Sequence, residues 1–218
     1  MTQASGGIYV LPQHLSAYQS AWSSIASKIF AMDTSNNNDY VFQGEFVESD
    51  INEVPAGKRD AIEIFDGAFE SCQNLSIVSL PNCIRINSSA FINCDNITEF
   101  SLPQCLSLSF GLPSLTKKLY APKLKYTDDI FSLCYSNLES VTIDLPIYSM
   151  ALDFRSCKKL TYLSLPWESL SAINYGMFNG CELLSFPDSL PEVSQIGSYA
   201  FFKCYNLRQL SLPKVVDI

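Results

Sequence analysis

Seven phenylalanines, at positions 69, 91, 110, 131, 154, 178 and 201, pace this chain at intervals of 19 to 24 residues. Six of them open the same phrase: FESCQNLSIVSLP from Phe69, FINCDNITEFSLP from Phe91, FSLCYSNLESVTIDLP from Phe131, FRSCKKLTYLSLP from Phe154, FNGCELLSFP from Phe178 and FFKCYNLRQLSLP from Phe201. The fuller copies read F-x-x-C-x-x-L-x-x-V-x-L-P. A degenerate copy, FGLPSLTKKLYAP from Phe110, fills the gap. A unit this short cannot bury its own Phe, Cys and Leu, so the copies must stack and share one continuous core.

Within a unit, the end of LSIVSLP alternates in the manner of a short strand. Leu75, Val78 and Leu80 are expected inside, Ile77 and Ser79 outside. Pro81 ends the strand, because it cannot donate to the next ladder bond. A second apolar element follows at Cys83, Ile84 and Ile86, with Val193 and Ile196 in a later copy. A small-residue turn then leads to the Ala-Phe pair, SSAF at Ser88–Phe91 and GSYAF at Gly197–Phe201. Phe and Cys three apart share one side of a helical or 3₁₀ turn. Asn74, Asn96, Asn137 and Asn206 follow the Cys and are expected to take the left-handed conformation that returns the chain to its next strand.

The period falls in the range of the leucine-rich repeats. IGSYAFFKCYNLRQLSLP at Ile196–Pro213 resembles the BspA-like leucine-rich repeats almost throughout. The resemblance runs from about Ile62 to the C-terminus. It departs at the Phe110 copy, which lacks Cys, and at the Phe178 copy, which ends early at SFP. It implies a leucine-rich-repeat solenoid with short parallel β-strands on one face of each coil and 3₁₀ or short helical turns on the other. It also implies partner binding and adhesion, and offers no catalytic residue to carry over. The expected division is 1–61, a helix, loop and strand acting as cap or anchor, and 62–218, an array of about seven repeats with an incomplete last coil.

Ahead of the array, HLSAYQSAWSSIASKIFAM places Leu15, Tyr18, Trp22, Ile25, Ile29 and Met32 at alternating steps of three and four. That pattern predicts an amphipathic helix, either capping the first open coil or joining copies of the chain through a short coiled-coil seam. YVFQGEFVE at Tyr40–Glu48 predicts a strand, and VPAGK within Ile51–Lys58 a turn or decayed repeat.

The chain has 47% hydrophobic residues and a net charge of −8. A sizeable core follows from the first number. The second argues against a nucleic-acid partner, which needs a basic face, and against docking on an anionic membrane. No stretch reaches the roughly 20 apolar residues of a spanning helix, so no membrane insertion is expected. The N-terminus shows no signal peptide. That points to a virion or intracellular location, or to a cell surface reached by another route or from a trimmed chain.

Chemistry-bearing groups are few. The eight cysteines occupy apolar repeat slots, form no C-x-x-C pair, and read as buried free thiols, with neither a metal site nor a disulfide framework. His14 stands alone. The acidic group Glu45, Glu48, Asp50, Glu53 and the pair Asp128–Asp129 lack calcium-loop spacing and read as solvated surface. Asn74, Asn87 and Asn96 head N-x-S/T sequons, which matter only in a eukaryotic secretory pathway. No cofactor and no catalytic residue is expected.

The candidate binding positions are the outward strand residues. Two before the strand proline lie Ser79, Ser101, Tyr120, Ser164 and Ser211, with Thr142 near the same slot; four before it lie Ile77, Glu99, Lys118, Tyr162 and Gln209. Mixed residues on a regular sheet suit recognition, and a hydroxyl column equally suits a flat, soluble sheet. The expected function is a non-enzymatic module that presents this sheet to a protein or glycan at a cell surface. The alternative is a structural part of a larger assembly, such as a phage tail or virion protein, with the N-terminus anchoring. LPKVVDI at the end aligns with LPEVSQI at Leu190–Ile196 but stops before the Ala-Phe turn. The expectation is therefore that further repeats follow, or that another chain covers the edge. Self-association through the N-terminal helix or that edge is the expected assembly contact.

Overall fold

The computed structural model describes residues 8–10, 29–31, 41–42, 53–54, 59, 61–109, 111–127, 137–144 and 152–216. The chain divides into two compact units, Met1–Asp39 and Tyr40–Ile218.

In the first unit, β1 (Ile8–Val10) pairs in parallel with β2 (Ile29–Ala31), Ile8 opposite Ile29 and Val10 opposite Ala31. This corrects the end of the expected helix: Ile29, counted in its apolar stripe, is a strand residue. Ile29 and Phe30 are β-branched and aromatic, residue types that suit a pleated surface. The rest of the expected helix lies outside the described residues.

The second unit is a parallel solenoid. One sheet has the order β12-β11-β9-β7-β5, where β5 is Ile77–Ser79, β7 Glu99–Ser101, β9 Lys118–Tyr120, β11 Ser140–Thr142 and β12 Tyr162–Ser164. A second has the order β10-β8-β6-β4-β3, where β3 is Val41–Phe42, β4 Glu63–Ile64, β6 Arg85–Ile86, β8 Ser107–Leu108 and β10 Tyr126–Thr127. The two-stranded pair β13 (Ala172–Ile173) and β14 (Gln195–Ile196) follows in later coils. Every pairing is parallel, and each strand's neighbours come from the adjoining coils. The pairing reaches back beyond Ile62, through β3 and through a bridge from Glu53 to Ile77.

A coil is built as the repeat implies. Leu75, Val78 and Leu80 are fully buried. The proline turn closes with the Cys83 amide donating to the Leu80 carbonyl at 3.3 Å, repeated from Cys105 to Leu102 and from Val193 to Leu190. Proline suits the second position of such a turn because its φ is preset. In the element that follows, Cys83 and Ile86 are buried, while Ile84 faces solvent.

The Phe column is core. Phe69 and Phe91 stack with centroids 5.1 Å apart, and Phe178 stacks on Phe154 at 5.9 Å and on Phe201 at 5.8 Å. Each described turn closes with the Cys amide bonded to the Phe carbonyl, 3.2 Å from Cys72 to Phe69 and 3.2 Å from Cys94 to Phe91. That carbonyl also receives a thiol from the next coil. Cys94 Sγ donates to Phe69 O at 2.7 Å, Cys181 to Phe154 O at 3.1 Å and Cys204 to Phe178 O at 3.1 Å. Cys is thus a small hydrophobe whose weak donor meets a buried carbonyl.

The left-handed backbone sits elsewhere than expected. Positive φ occurs at Ser71, Asn93, Ser156, Gly180 and Lys203, each immediately before the Cys. Asn96, Asn137 and Asn206 act instead as ladder donors. Their side-chain amides bond the carbonyls of Gln73 (2.7 Å), Ser114 (3.2 Å) and Leu183 (3.1 Å) in the preceding coil. The turn must reverse while Phe and Cys both point inward, so the residue between them takes the reversed φ.

Two irregular copies have physical explanations. In the Phe110 copy, Thr116 takes the slot of Leu75 and Ile97; it is fully buried, and its hydroxyl donates to Ile97 O at 3.3 Å. The Phe178 copy does not end at SFP. Phe186 turns inward and meets Phe178 and Phe201 edge-on at 5.2 and 5.3 Å. The strand position is reached at Ser189–Leu190, where Ser189 bridges Ser211 and the Leu190 amide bonds Ser211 O at 2.9 Å.

Phe91→Ala should cost about 3–5 kcal/mol and loosen adjoining coils first, read by hydrogen exchange; unchanged stability would place Phe91 outside the core. Lys203→Gly should stabilise by up to about 1 kcal/mol, since a non-glycine left-handed residue costs roughly 1–2 kcal/mol; a lower melting temperature would contradict this. The thiols give a pH dependence. The described cysteines form no disulfide, and burial pushes Cys94 and Cys105 up to about 12 and Cys204 up to about 11 from the ordinary 9.0. The unfolded chain releases these protons first. Stability should hold below pH 9.0 and fall as pH climbs toward the folded values, measured as the denaturant midpoint under reducing conditions.

Candidate recognition face

Backbone register brings the outward strand residues into two columns. Ile77, Glu99, Lys118, Ser140 and Tyr162 stand opposite one another across β5, β7, β9, β11 and β12. Ser79, Ser101, Tyr120, Thr142 and Ser164 form the second column. Between them the middle residues Val78, Phe100, Leu119, Val141 and Leu163 are buried. Strand pleating separates these sets, because successive side chains point to opposite faces.

The two columns contain every sequence-picked position on these five strands. Gln209 and Ser211 are exposed in the last described coil, where Ser211 bridges Ser189 outside the five-stranded sheet. Two residues escaped the sequence reading. Ser140 belongs to the first column and precedes Thr142 by the same two-residue step that separates Ile77 from Ser79. Ser189 extends the hydroxyl column and is found by counting back from Pro191 rather than from Pro187.

The face carries one ion pair, with the Asp144 carboxylate at its edge. Lys118 Nζ donates to Glu99 Oε1 at 2.8 Å across β9 and β7, and this bond raises the Lys118 pKa. Its relief is carried by two tyrosines, Tyr120 at 47% exposure and Tyr162 at 56%. They flank Ser140 and Thr142, which are half-buried and form a floor. Ser164 Oγ donates to Asp144 Oδ1 at 2.6 Å. The hydroxyls of Ser79, Ser101, Tyr120, Ser140 and Thr142 make no hydrogen bond to the described residues.

Other surfaces differ in kind. On the second sheet the outward residues are Glu63, Arg85, Ser107 and Tyr126, with Arg85 and Glu63 at 3.6 Å. On the Phe-Cys turns, Tyr175, Tyr199 and Phe202 form an exposed ridge of edge-to-face rings, with Arg155 over Tyr175 and Lys203 over Phe202. Asn74 and Asn96 of the sequons are exposed, and the Asn96 amide is already held by Gln73 O. Glu53 pairs with Arg59 at 2.7 Å. His14, Glu45, Glu48, Asp50, Asp128, Asp129 and Cys134 lie outside the described residues. Among the described residues, no group of three His, Cys, Asp or Glu side chains could hold a metal ion. No helix among them is long and apolar enough to cross a membrane.

No curated protein sequence matches this chain. Among solved structures, the leucine-rich-repeat protein of T. pallidum is similar, with 23% identity, a TM-score of 0.50, and 78% of each chain covered. A leucine-rich cell surface protein of Faecalibacterium prausnitzii matches at 23% identity and a TM-score of 0.41, covering 72% of this chain and 44% of that one. A leucine-rich-repeat protein of Eubacterium ventriosum matches at 18% identity and a TM-score of 0.35, covering 81% and 45%. The BspA type leucine-rich-repeat region matches residues 20–117 and 124–218 in six copies, so its first match begins well before Ile62. Repeats of this kind are typically non-enzymatic binding modules, and the chain belongs to the BspA-type leucine-rich-repeat family.

Proposed function

We propose that the chain is a non-enzymatic adhesion module and that the face of β5, β7, β9, β11 and β12 is its recognition surface, for a protein or glycan ligand at a cell surface. The observation that carries this reading is the register of the two outward columns over a buried row. Side chains held on paired strands lose little further freedom on binding, so contacts made there are not spent on ordering the site. The family's binding character supports the reading. The tyrosines supply rigid amphipathic contact area at small entropic cost.

Beads coated with the chain should adhere to cultured cells or bacteria. Tyr120→Ala with Tyr162→Ala should lower adherence roughly tenfold, as loss of a central aromatic anchor does. Tyr126→Ala on the second sheet should leave adherence unchanged. Adherence that ignores the double substitution would place recognition elsewhere.

A further inference from the structure

The hydroxyl column runs across all five strands of the sheet. In coil after coil the same outward slot holds Ser79, Ser101, Tyr120, Thr142 and Ser164, and Ser189 and Ser211 occupy it again in the last two coils. Parallel strands set these groups about 4.8 Å apart along the solenoid axis, close to the length of one pyranose unit in an extended chain. Each of the first four hydroxyls makes no hydrogen bond to the described residues, so a ligand that meets it displaces only water.

Tyr120 and Tyr162 stand on opposite corners of a block formed with Lys118, Ser140, Thr142 and Ser164. Two strand spacings and two residues along the strand separate their Cα atoms by about 12 Å. Between the rings lies a hydroxyl floor, wide enough for one sugar ring. Protein hot spots want an apolar centre, and here the centre is Ser140 and Thr142. Charge points the same way. Glu99 and Lys118 neutralise each other on the face, and the net charge of −8 repels polyanions.

Resting on the reading of this face as the recognition surface, we propose that its ligand is a neutral, extended polysaccharide. The chain lies along the solenoid axis, about one sugar to a coil, and is gripped where Tyr120 and Tyr162 flank Ser140 and Thr142.

The test uses the whole chain and defined probes: the hexaoses of cellulose, chitin, β-mannan, laminarin and maltose, with their shorter homologues, and polygalacturonate and polyglutamate as anionic controls. One neutral series should bind, with affinity rising roughly tenfold or more between the disaccharide and the pentaose and levelling once the five-stranded sheet is spanned. Tyr120→Ala and Tyr162→Ala should each weaken the hexaose roughly tenfold. Tyr126→Ala should not, and it controls for folding. Tyr120→Phe separates the roles, keeping the ring and removing one hydroxyl of the column, and should lie between wild type and Tyr120→Ala.

No binding by any neutral series, tighter binding of either anionic control, or affinity that stops rising at the disaccharide would overturn the proposal. If the glycans fail while bead adherence still falls in the tyrosine variants, the ligand class is wrong and the recognition face stands. If adherence also ignores those variants, the face itself is wrong.

Discussion

Each described coil of this molecule depends on its neighbours for its backbone hydrogen bonds. A coil of some twenty residues has no internal partner for its strand amides, and an unpaired buried amide is costly. Parallel stacking supplies the partners. The Phe69 amide takes Ala90 O, Ser71 takes Ile92 O and Leu80 takes Ser101 O, each from the coil that follows. Once the backbones are set this way, like side chains fall on like, and Phe, Cys and Leu columns are the result.

The thiol column shows how sequence choice serves that stacking. The Phe carbonyl faces the core, where it already accepts the amide that closes its own turn. A second lone pair remains, and Cys94, Cys181 and Cys204 meet it with a group small enough for the gap. Leucine would fill space without donating. Serine would donate, but would bring a more strongly hydrated hydroxyl into the core. The same reasoning explains Thr116, whose buried hydroxyl is tolerated because Ile97 O receives it.

Much of this was legible in the amino-acid string, and what was not has a common cause. The inward and outward assignments of Val78, Ile77 and Ser79 follow from alternation, which also puts Tyr120 and Tyr162 on the outer face. Ser140 is hidden from both directions: one extra residue after Cys134 shifts the count from the Phe, and two extra residues before Pro146 shift the count back from the proline. Residue preference alone points to Asn96 for the left-handed role; the residue that takes it in that coil is Asn93, and in others Ser71, Ser156 and Lys203. Preference yields where the turn's closure leaves one geometry. Ser189 hid behind a false proline, since Pro187 follows a Phe that the core recruits. At Ile29, a helical spacing of apolar residues coincided with a strand that pairs with Ile8–Val10.

The Phe110 copy has a consequence for mechanics. Pro113 stands where other coils place the thiol, and Thr116 where they place leucine or isoleucine. At that joint the array lacks a sulfur rung and has traded an aliphatic one for a hydroxyl. In a one-dimensional stack, cooperativity passes only between neighbours, so the poorest joint decides where it breaks. Pulled along its axis, the array is therefore expected to part at the joint around Gly111–Thr116 before the joint between the Phe69 and Phe91 copies, which keeps both rungs.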